Sequence, residues 1–528
     1  MSENLNELRQ QLDAAKRRID ELEVLVRQKQ AMSSGHEESR DEKGSDRNVA
    51  MVVFGASGDL AKRKTYPALY HLHAKKLICK DVLVVGYART KMNADEFGAY
   101  MRDDVLKKSD GFEEFLSRCC YVSGNYDKPD ELLQIDKEVR TRLQLEPEAA
   151  YDRIYYLALP PVMYEPVLKA LHDSGINKKG STRVIIEKPF GHDLESSCRM
   201  NSNLLRMYQE SQLYRIDHYL GKEMVLNMIV LRFANSVFEP IWNNRYISNV
   251  KITLKEDFGT QGRAGYFDKY GIIRDVMQNH LMQIFALIAM ESPVSLSAED
   301  VRDEKVKLLR CCPPISMDDL VVGQYGTDAT GKVVPYLKEE GVAQDSITPT
   351  FAAAIIRINN PRWSGVPFIV KCGKGLNERK TEVRIQFKQV GSHLFKDVAP
   401  NELVFIIQPK EAIYLKMMSK VPGFKNELVQ SELNLSYDQR YGNGDQPDAY
   451  ERLILDAFKT EHNLFVRTDE LEASWSIYTP VLHYLQANRV KPTIYEFGTR
   501  GPKESDYLAY RYGWERHEGY CWPQYKSV

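Results

Sequence analysis

The stretch RIDHYLGKE, residues 215–223, packs Asp217, His218, Tyr219 and Lys222 into six positions of a 528-residue chain. A cation, an imidazole and a phenol side by side suit a phosphate monoester, because each can donate to its oxygens. If the stretch is helical, His218 and Lys222 stand four residues apart and Tyr219 and Lys222 three apart, on one face. Asp217 then points elsewhere and could orient a histidine. The same residues would equally fit the polar start of a surface helix.

A second stretch, RDVMQNHLMQ, holds Asp275 and His280. Oxidising an alcohol requires a base, since the hydroxyl proton leaves as hydride leaves carbon. Histidine has a suitable unperturbed pKa, and a carboxylate partner fixes its tautomer and supports its charged form. A histidine in an apolar helix can also be an ordinary core residue, and residue types alone do not choose among the eleven histidines. EKPFG places Lys188 directly before Pro189. The residue before a proline is pushed to extended geometry, and the bond is open to the cis form. Either isomer could hold Lys188 at the mouth of the first domain; a plain surface turn is the alternative.

The positions around these candidates suggest a nucleotide. After the apolar run AMVVF the chain turns through Gly55, Ala56, Ser57, Gly58, Asp59, Leu60 and Ala61, a GxxGxxA pattern. Gly55 permits a tight turn, Gly58 lets a pyrophosphate approach the backbone, and Ala61 lets a helix pack closely, with its N-terminal N–H groups facing the phosphates. Such a turn can also merely reverse the chain. The next strand ends GYART, with Arg89 where an NAD site usually carries an acid. An acid would repel a 2′-phosphate and an arginine would attract it, so NADP is favoured over NAD; a lone Arg89 could also be only a surface residue.

From Asn48 to about Ile216, apolar runs (AMVVFG, DVLVVGYA, RIYYLALP, TRVIIEKPF) alternate with helical patterns. This predicts a parallel sheet covered on both faces. AKRKTYPALYHLHAKK reads as a helix kinked or broken at Pro67. Beyond, NVKITLKEDF, TFAAAIIRI, VPFIVKCG, TEVRIQFKQV, ELVFIIQP and AIYLKMM follow closely. Val383, Ile385 and Phe387 alternate with Arg384, Gln386 and Lys388, which predicts antiparallel strands with one buried and one wet face. GIIRDVMQNHLMQIFALIAME and DAYERLILDAFK read as helices. The expected fold is a Rossmann-like dinucleotide-binding α/β domain, residues 48–216, followed by a larger α+β domain, residues 217–528, with a big, mostly antiparallel sheet. Residues 1–47 form an extension. Leu5, Leu8, Leu12, Ala15, Ile19, Leu22 and Val26 take heptad spacing, consistent with a short coiled coil or a solvated tail, ahead of a polar linker.

Bulk properties narrow the function. With 43% hydrophobic and 27% charged residues the chain resembles an ordinary globular protein. A net charge of −1 without a basic block argues against nucleic acid or an anionic membrane as partner. The eight cysteines include two adjacent pairs but no CxxC, which points to reduced thiols and no metal site. No apolar leader, no bilayer-length run and no peroxisomal tripeptide are seen, so the cytoplasm is expected.

Together, GASGDLAKRK, GYART, LALPP, IIEKPFG, RIDHYLGKE, FGTQGRAGYFDKYGIIRDVMQNH, GVPFIVKCGKGLNERK and DAYERLILD resemble the glucose-6-phosphate dehydrogenase family in order and spacing, over about residues 48–528. The resemblance implies oxidation of glucose 6-phosphate to the phosphogluconolactone with NADP as hydride acceptor, and a homodimer or homotetramer. By the same resemblance His280 is the general base and Asp217 its carboxylate partner, a role that the residues alone left open to Asp275. His218, Tyr219 and Lys222 match phosphate contacts. Lys188, Glu256, Asp275, Lys374, Arg379 and Gln408 match other substrate contacts. Gly55, Ala56, Ser57, Gly58, Asp59, Leu60, Arg89, Tyr164 and Lys188 match the coenzyme site, and the bond before Pro189 is cis in the family. Some members hold a second, structural NADP. Lys380, Arg384, Tyr414, Lys416, Arg500 and Trp522 fit that site, but Ile406 and Lys371 replace arginines, Asn434 an aspartate and His517 a tyrosine, which implies a weak or absent second site. Two other functions fit the residues: an oxidoreductase for another sugar phosphate or free glucose, and a catalytically dead NADP-binding scaffold assembled through the heptads.

Overall fold

Six short strands make the first sheet of the computed structural model, which describes residues 48–105, 111–391, 394–395, 398–442 and 446–514. The heptad segment, His517 and Trp522 lie outside the described residues. The strands are β1 (Val49–Phe54), β2 (Leu83–Ala88), β3 (Cys119–Ser123), β4 (Asp152–Leu157), β5 (Thr182–Glu187) and β6 (Leu213–Ile216). They pair in the order β3-β2-β1-β4-β5-β6, all parallel. β1, β2 and β4 are buried along their whole length, as a sheet covered by helices on both faces requires. The strand order reverses between β1 and β4, so a crevice opens at their carboxyl ends, the usual dinucleotide position.

The helix after β1 contains Pro67 and changes its winding just before it. Residues Ala61–Thr65 wind as a wider π-helical turn, and Tyr66–Ala74 then continue as α-helix with the proline in its first turn. A proline is tolerated in a first helical turn, where its missing N–H costs least.

The second sheet has nine strands: β7 (Ile247–Lys255), β8 (Leu320–Tyr325), β9 (Phe351–Ile356), β10 (Phe368–Gly373), β11 (Lys380–Phe387), β12 (Glu402–Gln408), β13 (Ala412–Lys420), β14 (Leu428–Ser436) and β15 (Thr493–Tyr495). Their order is β14-β13-β12-β11-β7-β10-β9-β8-β15, antiparallel except for the β7–β10 and β8–β15 pairs. The helix Met282–Ala289 is buried at every position and lies on this sheet, with Phe285 edge-on to Phe368 at 5.0 Å. Burying one such ring is worth about 2–3 kcal/mol.

The wet face expected for β11 is covered. Val383 and Ile385 are buried as anticipated, but so are Glu382 and Gln386 on the opposite face. Polar partners substitute for water there: Asn249 donates to Gln386 at 3.1 Å, and Arg384 pairs with Glu402 at 2.8 Å. A period-two pattern registers polarity, and a paired polar side chain is as polar as a solvated one.

Candidate active site

The two chemistry-bearing stretches meet where the sheets adjoin. RIDHYLGKE is not helical. Its first residues finish β6, residues 217–222 form a turn, and Lys222 is the N-cap of the helix Glu223–Phe233. Three- and four-residue helical spacing therefore does not bring His218, Tyr219 and Lys222 together; the turn does. Asp217 sits at the end of β6, as edge residues of an α/β crevice do, and its Oδ1 also accepts from the Tyr219 N–H at 3.0 Å.

His280 lies on a nine-residue π-helical segment, Ile273–Leu281. In an α-helix, residues five apart are separated by about 1.4 turns and face different ways. The i→i+5 winding of a π-helix stacks them, so Asp275 and His280 point to the same side. The His280 ring is 4% exposed, with its Nδ1 2.6 Å from Asp217 Oδ1. Burial alone would raise the Asp217 carboxyl, but the pull and hydrogen bond of His280, helped by His218, hold it at about 2. An ionised carboxylate only accepts, so Nδ1 must donate. Burial lowers the His280 pKa, Lys188 adds to that, and Asp217 opposes it. The neutral ring thus keeps its proton on Nδ1 and a lone pair on Nε2, the state a general base needs.

Tyr219 stacks on His280 with centroids 4.4 Å apart, and His218 meets it edge-on at 4.5 Å. The Tyr219 hydroxyl lies 3.2 Å from Thr381 Oγ1 and accepts from Gln408 Nε2 at 3.2 Å. Lys222 Nζ donates to Gln408 Oε1 at 3.0 Å and rides over the Tyr219 ring at 4.8 Å. Burial lowers the Lys222 pKa, and nearby Lys64 and Arg379 push the same way. Glu411 and Asp448 act on Lys222 in the opposite direction, and Lys64 is paired with Asp448 at 3.1 Å. Lys222, the Gln408 amide and the Tyr219 phenol together offer donors that suit an anion. Arg379 is exposed and stacks on Phe258 at 5.7 Å.

On the other side of His280, Lys188 Nζ donates to the Asp275 backbone carbonyl at 2.7 Å and to Asp275 Oδ1 at 2.8 Å. Burial opposes ionisation of Asp275, but Lys188 and Lys374 together hold its carboxyl far below the usual range. Lys374 in turn pairs with Glu256, at the end of β7. The Lys188–Pro189 bond is cis, as is Gln408–Pro409. Alternating lysines and carboxylates around one cavity can hold several hydroxyl groups, donors beside acceptors.

The glycine turn fits a dinucleotide on its own geometry. Gly55 has φ +78°, and a Cβ there would sit 2.3 Å from the Ala158 carbonyl oxygen. A Cβ on Gly58 would meet the Gly55 oxygen at 3.0 Å, so neither position accepts a side chain at no cost. Ala56 is buried, Leu60 half-buried and Asp59 exposed, bound to Arg63 at 2.6 Å. Beyond the turn, Arg89 is exposed and lies over the Tyr126 ring at 5.6 Å. Ser57 and Thr90 place their hydroxyls 3.1 Å apart beside it. Thr90 and Thr381 went unnoticed in the sequence; a threonine next to an expected phosphate-binding arginine is the signal that could have found Thr90. Tyr164 is buried at the start of the helix Tyr164–Asp173. A cavity of about 860 Å³, lined among others by Pro161, Glu165, Pro189, His192 and Tyr270, opens beside the cis bond, away from His280.

Several of the described residues fitted to a second dinucleotide lie in register across neighbouring strands of the second sheet. In register, Arg384 stands beside Val404, Tyr414 and Asn434, and Glu382 beside Ile406. Acids already engage the cations there: Arg384 with Glu382 and Glu402, Lys416 with Glu402 at 3.1 Å, Lys380 with Glu378 at 3.2 Å, and Arg500 with Asp506 at 3.0 Å. Lys371 is buried and donates to Ser505 Oγ at 3.1 Å.

Comparison with known proteins places these features in context. Residues 52–227 match the family described as glucose-6-phosphate dehydrogenase, NAD binding domain, and residues 229–522 the C-terminal domain of the same family. A glucose-6-phosphate 1-dehydrogenase of Dictyostelium discoideum is 51% identical over 478 residues, 90% of this chain and 96% of the relative. One from Aspergillus niger is 46% identical, covering 95% and 98%. A solved glucose-6-phosphate dehydrogenase in complex with its substrate glucose-6-phosphate superposes with a TM-score of 0.86 at 43% identity, covering 90% of this chain and 100% of that one.

Proposed function

Because the chain belongs to the glucose-6-phosphate dehydrogenase family, we propose that its residues divide the work of that reaction as follows. The enzyme oxidises D-glucose 6-phosphate to 6-phospho-D-glucono-1,5-lactone, the first step of the pentose phosphate pathway, with a dinucleotide taking the hydride. The observation that carries the residue assignment is the buried Asp217–His280 contact, with Lys222 held by Gln408 beside the Tyr219 ring that stacks on His280.

Lys222, His218, Tyr219 and Arg379 hold the phosphate, with Gln408 fixing Lys222 and Tyr219. Lys188, Asp275, Lys374 and Glu256 orient the sugar hydroxyls. His280 Nε2 removes the anomeric hydroxyl proton, while Asp217 keeps the other ring proton on Nδ1 and stabilises the imidazolium that forms. The stacked Tyr219 ring limits rotation of His280 and keeps water from its face. The bound dinucleotide supplies the hydride acceptor. Gly55, Ala56, Ser57, Gly58, Asp59 and Leu60 form its pyrophosphate turn, with Tyr164 and Lys188 along the crevice.

The coenzyme assigned is NADP: Arg89, Ser57 and Thr90 offer one guanidinium and two hydroxyls at the tip of β2, a set that suits a 2′-phosphate. The second NADP site is assigned as weak or absent, since its cations are engaged by Glu378, Glu382, Glu402 and Asp506 and a hydrocarbon occupies position 406. Residues 48–216 are assigned to the dinucleotide, 217–528 to substrate and assembly. Exposed Val429 and Leu433 on the edge strand β14 support a homodimer or homotetramer. The unbridged thiols of the seven described cysteines support a reducing, cytoplasmic setting.

A steady-state assay following NADPH or NADH absorbance, with glucose 6-phosphate against glucose and NADP against NAD, tests the reading. Turnover is expected with glucose 6-phosphate and NADP. Equal turnover of free glucose would remove the phosphate cluster from the mechanism, and a preference for NAD would remove the role of Arg89.

A further inference from the structure

Asp217, His218 and His280 each offer one ligand atom, and the three atoms lie within 4.8 Å of one another. One carboxylate oxygen and two ring nitrogens make a donor set that borderline divalent cations take. Two further observations separate this trio from a chance polar cluster. Asp217 Oδ2 is buried and has no hydrogen-bond partner, although buried polar atoms nearly always find one. His218 packs its ring against His280 and, at 5.8 Å, against Tyr450. Its nitrogens make no hydrogen bond or ion pair among the described residues. Each has spare capacity to ligate.

We propose that Asp217, His218 and His280 form an inhibitory site for a divalent cation of the Zn²⁺ class, which competes with the sugar phosphate. Zinc bonds to nitrogen and oxygen are about 2.0–2.2 Å, so tetrahedral donors stand roughly 3.3 Å apart. The trio therefore has to close by up to about 1.5 Å from its 4.8 Å span. Asp217 and His218 sit on the turn between β6 and the following helix, and rotation of their side chains supplies that movement without shifting the strand. Three protein ligands leave a fourth position open to water. Mg²⁺ and Ca²⁺, which favour oxygen shells, are poor fits for two imidazoles. Ligation beside Asp217 takes His280 Nδ1 in place of its proton, which is released to solvent while the ring's remaining proton resides on Nε2, so the bound cation removes the base and draws His218 from the phosphate. The inhibitory half thus rests on the catalytic reading above, whereas cation binding itself does not.

The experiment uses the full-length chain, with accessible thiols alkylated and metal removed by dialysis. Co²⁺ chloride is titrated in, and the intense visible ligand-field bands of four-coordinate cobalt are recorded for the wild type, His218→Asn and Asp217→Asn. Thermal melts establish that each variant is folded, and two variants keep the test open if one is not. Saturation at one equivalent is expected, with displacement by Zn²⁺, suppression by glucose 6-phosphate, and at least about tenfold weaker binding in either variant. In turnover, Zn²⁺ is expected to raise the apparent KM for glucose 6-phosphate and leave kcat unchanged. Absence of a saturable band, or a band unchanged in the folded variants, would overturn the site. Binding at these residues in a chain that does not oxidise glucose 6-phosphate would leave the cation site standing and bring down the catalytic reading. Normal turnover without a cobalt band would do the reverse.

Discussion

Asp217→Asn changes one buried atom and removes one charge. In the wild type the carboxylate compels His280 to carry its proton on Nδ1 across a 2.6 Å contact. An asparagine amide can donate as well as accept, so it also permits the tautomer in which Nε2 is protonated and useless as a base. The lost charge sets the magnitude. Centres of charge about 4 Å apart at an effective dielectric of about 20 attract by about 4 kcal/mol, felt mainly when the imidazolium forms in the transition state. At about 1.4 kcal/mol per decade this predicts a fall in kcat of roughly 10³-fold, within the usual range for disabling a general base. The asparagine oxygen can still accept from the Tyr219 N–H as Asp217 does at 3.0 Å, so the turn that carries the phosphate contacts persists and KM for glucose 6-phosphate should change by no more than about threefold. Stopped-flow absorbance of the first turnover, beside steady-state kcat and KM, measures the split. A kcat within about tenfold of wild type in a folded variant, or a loss confined to KM, would refute the reasoning.

Lys222→Ala should raise KM for glucose 6-phosphate about 10- to 100-fold with a much smaller change in kcat, since it removes a charge-assisted bond far from the reacting carbon; initial-rate kinetics decide. Arg89→Ala should lower kcat/KM for NADP about 10- to 100-fold and leave NAD nearly unaffected, and an equal loss with both coenzymes would count against a 2′-phosphate contact. Gly55→Ala forces a side chain onto a residue at φ +78° and onto the Ala158 carbonyl; a lower Tm and loss of dinucleotide binding by calorimetry are expected. Burial raises the Asp456 carboxyl to about 6, against the pull of Arg452. A folded pKa above the unfolded one means that the fold binds the extra proton, so stability is highest at acid pH and falls as pH rises through about 6. Asp456→Asn should therefore raise Tm at pH 8 and leave it almost unchanged at pH 4, by differential scanning calorimetry.

Continuous apolar runs such as AMVVF and RIYYL were legible as buried parallel strands because both faces of such a strand must be hydrophobic. The glycine turn was legible because the positive φ at Gly55 is a local demand on residue type, whereas the Ala158 carbonyl that closes on it arrives from a distant segment. The strands β3, CCYVS, and β6, LYRI, were missed. Each is short, and β6 carries Arg215, whose charge is buried by Glu210 at 2.6 Å, a partner that periodicity does not reveal. Arg384 and Gln386 likewise looked solvated because a sequence records polarity and not the partner that satisfies it.

The sequence by itself determined the kinds of residue available, the alternation of strands and helices, and, through its resemblance, the family. The residue types alone left Asp217 and Asp275 both open as partner of His280, and the tertiary structure brings Asp217 to it. Asp217 and His280 are 63 residues apart and meet at 2.6 Å, whereas Asp275, on the same segment as His280, is taken by Lys188. Likewise His218, Tyr219 and Lys222 converge through a turn, and Asp275 and His280 share a side through π-helical winding. Those outcomes depend on backbone geometry settled by packing between distant elements, and residue spacing carries no record of it.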